Sequence, residues 1–191
     1  MGILNQKHNK VQIDETLFPQ IQQGDNAAFE KLYYLTYKPL YAFVLSLTMN
    51  KEDAEDIMQE TYIKIRGACH LYKSPGNPMA WIMKIAKNIF LMKVRQENKQ
   101  EMVELDECRD ALALNQISSL EDRLLLEHLF QYVSDEDRNI IVLHIIAGMK
   151  HKEIAEMMKI PVGTVLSRYH RAMKTLKQCT IGLQGKEQDH V

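Results

Sequence analysis

Apolar residues recur about every three to four positions along most of this chain, and no other feature restricts its fold as strongly. A repeat of that period places apolar side chains on one face of an α-helix. The alternation of apolar and polar residues that is typical of half-buried strands does not occur in the sequence. Glycine and proline fall between the periodic segments, as at Gly24, Pro39 and Gly148, where they interrupt helices. The sequence therefore predicts an all-α fold.

The interruptions divide the chain into a series of predicted helices. Ser119 and Ser134 each precede acidic residues, and a serine at a helix start accepts a hydrogen bond from a free backbone N–H group. The acidic residues also suit the positive end of the helix dipole. We predict helices near residues 14–23, 26–37, 39–48, 52–66, 78–97, 119–133, 136–147, 151–158 and 161–178.

An acidic segment separates two groups of these helices. Residues 101–110, EMVELDECRD, contain five acids and one arginine with little helical periodicity. We predict two small helical domains at residues 1–98 and 118–191, joined by an acidic linker at 99–117. A packed connection between the domains is the alternative interpretation of this segment.

The composition argues against a secreted or membrane protein. Charged residues make up 26% and hydrophobic residues 46% of the chain, a balance typical of globular proteins. We find neither a charged and then apolar N-terminal stretch nor an apolar run of about 18 residues. Cys69, Cys108 and Cys179 form no CxxC pair, which favours free thiols in a reducing compartment. We therefore expect a cytoplasmic protein.

Patterns typical of catalytic and metal sites do not occur either. The sequence has no HExxH, no GxxxxGK[ST], no GxSxG and no Cys/His ligand set, which are the spacings that such chemistry uses. His144 and His151 are interpreted as surface or half-buried polar residues. We expect that the protein is not an enzyme and that it uses no cofactor, no metal and no small-molecule substrate.

The C-terminal part contains two short amphipathic helices separated by a turn. Pro161 suits the first turn of the second helix, because its missing N–H group has no partner to lose there. Two short helices joined by about three residues are typical of a helix-turn-helix. The apolar positions at helical spacing are Ile154, Ala155, Met158, Val162, Val165, Leu166, Tyr169, Met173 and Leu176.

The second of these helices has a basic face, although the whole chain carries a formal net charge of -1. A helix fits the major groove of DNA, where arginine pairs with guanine while serine, threonine and lysine hold phosphates. We expect Arg168 and Arg171 to point away from the domain core, so that their removal leaves the core intact. A solvated basic face is the alternative. The candidate DNA contacts are Thr164, Ser167, Arg168, Arg171 and Lys174.

These helices resemble a known family. The stretch SDEDRNIIVLHIIAGMKHKEIAEMMKIPVGTVLSRYHRAMKTLK at 134–177 is similar to the C-terminal domain of bacterial extracytoplasmic-function (ECF) sigma factors. In that family this domain binds the promoter −35 element and the β flap of RNA polymerase. Lys150 or His151 stands where a serine or threonine commonly caps the first helix, and Lys159 stands where the turn often has glycine. A left-handed Lys159 costs about 1 kcal/mol relative to glycine.

The helix NKEDAEDIMQETYIKI, residues 50–65, has an acidic outer side with an isoleucine among the acids. It resembles the segment with which sigma factors grip the clamp helices of the polymerase β′ subunit. A solvated acidic face is the alternative, and the isoleucine argues for a protein partner. The resemblance implies polymerase contacts at Asp56, Gln59, Glu60 and Ile63.

The helix PMAWIMKIAKNIFLMKVRQENK, residues 78–99, carries cations and an aromatic ring along one side. Cations follow phosphates, and an aromatic ring can stack on a base. Its AWIMKIAKN run is similar to the family segment that melts the −10 element and captures an unpaired base. Trp81 has a second interpretation as a core anchor, and Met92 replaces an acid that is often found in the family. The implied −10 contacts are Trp81, Lys84, Lys87, Asn88 and Arg95.

The resemblance covers roughly residues 24–178 and both predicted domains in the family's order. It implies a sigma factor that binds core RNA polymerase and promoter DNA and directs transcription initiation. It also implies an anti-sigma partner, which in this family is frequently membrane-anchored. The alternative is a free-standing helix-turn-helix regulator that binds duplex DNA without polymerase, and such a protein has no use for the acidic helix at 50–65.

Overall fold

The computed structural model describes residues 11–100 and 130–186, and every regular element within these two ranges is helical. The all-α prediction is therefore confirmed. The two ranges belong to two separate compact units. The predicted linker at 99–117 and the predicted helix at 119–133 lie almost entirely outside the described residues. The predicted cap at Ser119 lies outside them as well.

Over residues 11–100 the N-terminal unit contains four α-helices. Asp25 caps the second helix, because its Oδ1 accepts hydrogen bonds from the backbone N–H groups of Ala27 and Ala28 at 2.8 and 3.1 Å. Asn50 caps the third helix in the same way through its Oδ1. The helices are α1 (Leu17–Gln22), α2 (Asn26–Thr48), α3 (Lys51–Ala68) and α4 (Pro78–Gln100), with a short 3-10 turn at Cys69–Leu71 after α3.

Helix α2 differs from the prediction, which was wrong in placing a break at Pro39. Proline removes one backbone hydrogen bond and disfavours the interior of a helix by about 3 kcal/mol. Here α2 continues through Pro39, and Leu40, Phe43 and Leu45 beyond it are almost completely buried. Burial of these large apolar side chains offsets the lost hydrogen bond, since each stabilises the fold by about 1.5–3 kcal/mol.

The core of this unit lies where α2, α3 and α4 pack together. Leu32 of α2, Ile57 and Ile65 of α3, and Ile82 and Ile89 of α4 are each at most 2% exposed. These positions follow the helical spacing of apolar residues in the sequence. The outer sides of α3 and α4 consequently face away from the core.

Within the described residues, α5 (Asp135–Ile141) is the first helix of the C-terminal unit that lies entirely in view, and Ser134 caps it by accepting a hydrogen bond from the N–H group of Asp137. This confirms the predicted cap. A π-helical turn at Val142–Ile146 continues α5. It is followed by α6 (His151–Met158) and α7 (Val162–Lys186), the predicted helix-turn-helix.

The helix-turn-helix departs from the family pattern at the cap of its first helix and at Lys159 in the turn, and both departures have a local explanation. The backbone N–H group of Lys150 donates to Glu153 Oε2 at 2.8 Å, so a carboxylate from inside α6 caps the N-terminus where a serine or threonine is missing. Lys159 adopts the left-handed conformation, with φ 58° and ψ 42°. The turn therefore has the left-handed conformation that glycine would favour, and the lysine is strained in it relative to glycine.

None of the helices in the two described ranges contains an apolar stretch long enough to cross a lipid bilayer.

Candidate nucleic-acid and polymerase interfaces

Helix α7 presents its predicted DNA contacts to different degrees. Ser167, Arg171 and Lys174 are exposed, whereas Thr164 and Arg168 are half-buried. The opposite side of the helix holds it in the unit, since Val165 and Ala172 are at most 1% exposed. Three of the five predicted contacts, Ser167, Arg171 and Lys174, are thus accessible to DNA.

The two arginines of this face are engaged within the unit. Arg171 Nη2 lies 2.9 Å from Asp137 Oδ2, and Arg168 Nη1 lies 3.5 Å from Asp137 Oδ1. Arg168 Nη1 also contacts Glu136 Oε2. The expectation that both arginines can be removed without disturbing the domain is therefore wrong, because they tie α7 to the first turn of α5.

Two apolar positions of α7 lie outside the inner side that the sequence predicts for them, because Val162 is 39% and Leu166 is 38% exposed. His170 is a further exposed residue beside Arg171 that the prediction lacks. The spacing already contained this signal, because Ser167, His170 and Lys174 are three and four residues apart and share one face of a helix.

The outer side of α3 is acidic with one large apolar residue. Asp56, Glu60 and Ile63 are exposed and Gln59 is half-buried, and 73% of Ile63 is exposed to solvent. Lys93 Nζ of α4 lies 3.4 Å from Asp56 Oδ2, so a cation partly neutralises one end of this face. The outer side of α3 thus offers one apolar side chain within a largely acidic surface.

The outer side of α4 brings three predicted residues into line. Lys84, Asn88 and Arg95 are exposed, and Lys87 is half-buried beside them. Met92 lies between Asn88 and Arg95 on this side and is 48% exposed. A strand of nucleic acid following this side of α4 would meet two exposed cations and an amide.

Trp81 is part of an aromatic cluster. Its ring lies edge-on to Phe18 and Tyr72 at centroid distances of 5.4 and 5.7 Å, and these two rings stack at 4.1 Å. Burial, with Glu15 beside it, raises the pKa of Tyr72 to about 12, so this phenol is neutral at physiological pH. Trp81 is half-buried, which supports the core-anchor interpretation for one side of its ring.

Among the described residues no group of three or more histidine, cysteine, aspartate or glutamate side chains is arranged to hold a metal ion. The rings of His144 and His151 pack against each other at a centroid distance of 4.0 Å and are tilted by 32°. His144 Nδ1 is 2.8 Å from the carbonyl oxygen of Met149. These histidines are half-buried and connect the π-helical turn to the start of α6.

A helix-turn-helix unit with a basic outward helix is typical of DNA-binding proteins. Family models agree with this class. Residues 32–100 match the model described as Sigma-70 region 2, and residues 123–176 match Sigma-70, region 4.

Relatives with assigned functions match both units at once. The ECF RNA polymerase sigma-E factors of Salmonella typhimurium and Escherichia coli are each 30% identical over 176 residues, covering 85% of this chain and 92% of theirs. That of Haemophilus influenzae is 28% identical over 177 residues, covering 86% of this chain and 93% of its own. This chain belongs to the ECF family of RNA polymerase sigma factors and directs transcription initiation.

Solved structures share the fold. One is the co-crystal structure of the sigma factor RpoE with the anti-sigma factor NepR from Bartonella quintana, with a TM-score of 0.60 and 24% identity, covering 78% of this chain and 94% of that one. Another is CnrH in complex with the cytosolic domain of CnrY, with a TM-score of 0.61 and 21% identity, covering 88% of this chain and 97% of that one. The free-standing regulator considered from the sequence is not favoured.

Proposed function

We propose that this sigma factor binds the β′ clamp helices of core RNA polymerase through the outer side of α3. The observation that carries the proposal is Ile63, which is 73% exposed and lies one helical turn from Gln59 and Glu60. An apolar side chain ringed by charge gives a partner both an anchor and a means of orientation. Asp56 extends the acidic surface by one further turn.

The outer side of α4 is proposed to open the −10 element. Lys84 and Arg95 supply cations for the phosphates, and Asn88 supplies donors and an acceptor for a base edge. Lys87 and Trp81 border this side, and the part of the Trp81 ring that does not pack on Phe18 and Tyr72 is the part offered to an unpaired base.

Helix α7 is proposed to read the −35 element from the major groove, while the C-terminal unit also binds the polymerase β flap. Ser167, Arg171 and Lys174 supply the exposed contacts. Thr164 and Arg168 lie at the edges of that face and are half-buried. In this arrangement the polymerase carries out the chemistry, and the sigma factor has no catalytic activity and acts in the cytoplasm.

An anti-sigma factor is the proposed regulator. The related structures are complexes of RpoE with NepR and of CnrH with the cytosolic domain of CnrY. Both proteins share this chain's fold, which supports a partner of the same kind here. The cytosolic domain in the second complex further supports a membrane-anchored partner.

The polymerase-binding proposal is tested with single changes on α3. Glu60→Lys reverses a charge and Ile63→Asp removes the apolar anchor, and we expect each to weaken binding of the full-length chain to core polymerase by about tenfold or more. Binding is measured by fluorescence anisotropy of the labelled sigma factor titrated with core enzyme. Both residues are exposed, so the helical signal of the free chain remains unchanged.

Glu30→Lys is the matched control, because Glu30 is also an exposed acid but lies on α2. It makes the same change in net charge as Glu60→Lys. We expect wild-type affinity for this variant. Undiminished binding by both α3 variants, or an equal loss in the control, contradicts the assignment of this face.

A further inference from the structure

The contact between α5 and α7 is more than a surface ion pair. Asp137 is 5% exposed, and both of its oxygens accept from Arg171 Nη2, at 3.2 Å for Oδ1 and 2.9 Å for Oδ2. The Arg171 side chain is itself 65% exposed. A buried carboxylate therefore holds one nitrogen of a guanidinium group whose remainder faces outward.

This arrangement leaves part of the arginine available to DNA. A guanidinium group has five N–H donors in a planar fork. Within the described residues the guanidinium hydrogen bonds of Arg171 use Nη2 alone. A side chain that is already fixed loses less conformational freedom when it binds, so its contact is stronger and more directional.

Glu136 is placed differently from Asp137. Its side chain is 64% exposed and contacts Arg168, whose side chain is 27% exposed. Asp137 Oδ1 lies farther from Arg168 Nη1, at 3.5 Å, so Glu136 is the main partner of that arginine. A solvent-exposed carboxylate beside a DNA-facing cation competes with phosphate for that cation. It also repels the DNA backbone, since like charges at close range disfavour approach.

We propose that Asp137 is a positioning residue for −35 recognition: it orients the guanidinium of Arg171 toward the base edges. Glu136 acts in the opposite direction, because it occupies Arg168 and lowers the affinity for every promoter alike. The proposal rests on the reading of the −35 element by α7. It assigns to the first turn of α5 a control over DNA recognition, although its residues precede the arginines that they contact by more than 30 positions.

The test uses holoenzyme reconstituted from core polymerase and the full-length chain. Promoters are varied one base at a time in the −35 element, and holoenzyme binding is measured at several salt concentrations. Asp137→Asn keeps the shape of the side chain but removes its charge. We expect it to reduce discrimination at one −35 position by about tenfold, because a bidentate arginine contact gives discrimination of that order.

Glu136→Gln is the matched variant, with the same loss of one charge on the neighbouring residue. We expect it to raise affinity for all promoters by a few fold while the order of base preferences stays the same. Opposite outcomes for adjacent isosteric changes cannot arise from net charge alone. Equal base preferences in wild type and Asp137→Asn overturn the proposal.

Arg171→Lys keeps the test decisive if Asp137→Asn unfolds the C-terminal unit. Lysine preserves the charge opposite Asp137 but lacks the planar fork, so we expect a folded protein with the same loss of discrimination. Retained discrimination in this variant overturns the proposal. A wild-type holoenzyme that prefers no −35 base instead refutes the reading by α7 itself.

Discussion

Two non-glycine residues in the described part of the chain have a positive φ, Met49 at 51° and Lys159 at 58°. Each follows the last residue of a helix, where glycine is favoured because it has no Cβ to clash with the following carbonyl group. Lys159 is also exposed. Its side chain therefore contributes little that offsets the strain of its backbone.

Lys159→Gly is expected to raise the free energy of unfolding of the C-terminal unit by up to about 1 kcal/mol. The sequence contains a single tryptophan, Trp81, so fluorescence follows the N-terminal unit while far-UV circular dichroism follows both. In denaturant titrations the circular dichroism midpoint of Lys159→Gly rises and the fluorescence midpoint does not.

Lys152→Gly provides the comparison, because it places glycine inside α6 at another exposed lysine. We expect a loss of about 1 kcal/mol there. A fall in stability for Lys159→Gly as well would mean that the lysine side chain contributes more than its backbone conformation costs.

Residue-scale predictions from the sequence succeeded where the physics is local. The cap at Ser134 and the left-handed cost at Lys159 depend on neighbours within a few positions, and both were predictable. The partner of Arg171 was not, because Asp137 lies 34 positions away and only the fold brings the two together. For the same reason the sequence pattern did not show that both arginines contact the first turn of α5.

At the scale of elements, tyrosines link α2 to α3. Tyr62 of α3 packs against Tyr33 at a centroid distance of 4.7 Å, and its hydroxyl lies 2.9 Å from Thr36 Oγ1. Burial raises the pKa of Tyr62 well above its ordinary value and raises the pKa of Tyr37 to about 12. These phenols are held in their neutral form by the packing of the two helices.

The raised pKa values predict alkaline destabilisation of this unit. The folded state keeps these protons above pH 10 while the unfolded chain, with a tyrosine pKa of about 10, releases them. The stabilisation is complete below about pH 10 and is lost as pH rises through the folded pKa values. Urea unfolding between pH 8 and 11 is expected to show a falling midpoint in Trp81 fluorescence.

Tyr62→Phe separates the contribution of the Tyr62 hydroxyl contact to stability from the contribution of its raised pKa to alkaline unfolding. Loss of the hydroxyl contact with Thr36 is expected to lower stability at pH 8 by about 1 kcal/mol, while the decline toward pH 11 becomes shallower than in the wild type. Tyr34→Phe is the control, because 58% of Tyr34 is exposed. If the urea midpoint falls equally with pH in the wild type, Tyr62→Phe and Tyr34→Phe, then ionisation of Tyr62 does not cause the alkaline destabilisation.

Element boundaries show where local patterns stop being sufficient. The helical spacing predicted α3, α4, α6 and α7, since an amphipathic face is encoded within each segment. It failed at Pro39, where burial of the following turns outweighs the lost hydrogen bond. It also did not separate the π-helical turn at Val142–Ile146 from the end of α5, because the apolar run IIVLHII fits either helix.

At the scale of the whole molecule, charge is divided between surfaces. The chain has 24 lysine and arginine residues against 25 acids, yet α7 is basic and the outer side of α3 is acidic. Moreover, part of the cationic charge on α7 is neutralised by Glu136 and Asp137. We therefore expect the free protein to have little net attraction for DNA, since phosphate contacts supply much of the affinity of DNA-binding proteins.

The last prediction follows from this balance: the free full-length chain binds its promoter duplex at least about 100-fold more weakly than the holoenzyme does. Free-standing regulators reach specific dissociation constants of about 10⁻⁸ to 10⁻¹¹ M, whereas non-specific binding lies near 10⁻⁴ to 10⁻⁶ M. We expect the dissociation constant of the free chain to lie in the non-specific range at physiological salt. Electrophoretic mobility shifts with the chain alone, core polymerase alone and both together measure the difference, and core alone gives the promoter-independent background. Nanomolar, sequence-specific binding by the chain alone would refute the prediction and would favour a regulator that needs no polymerase.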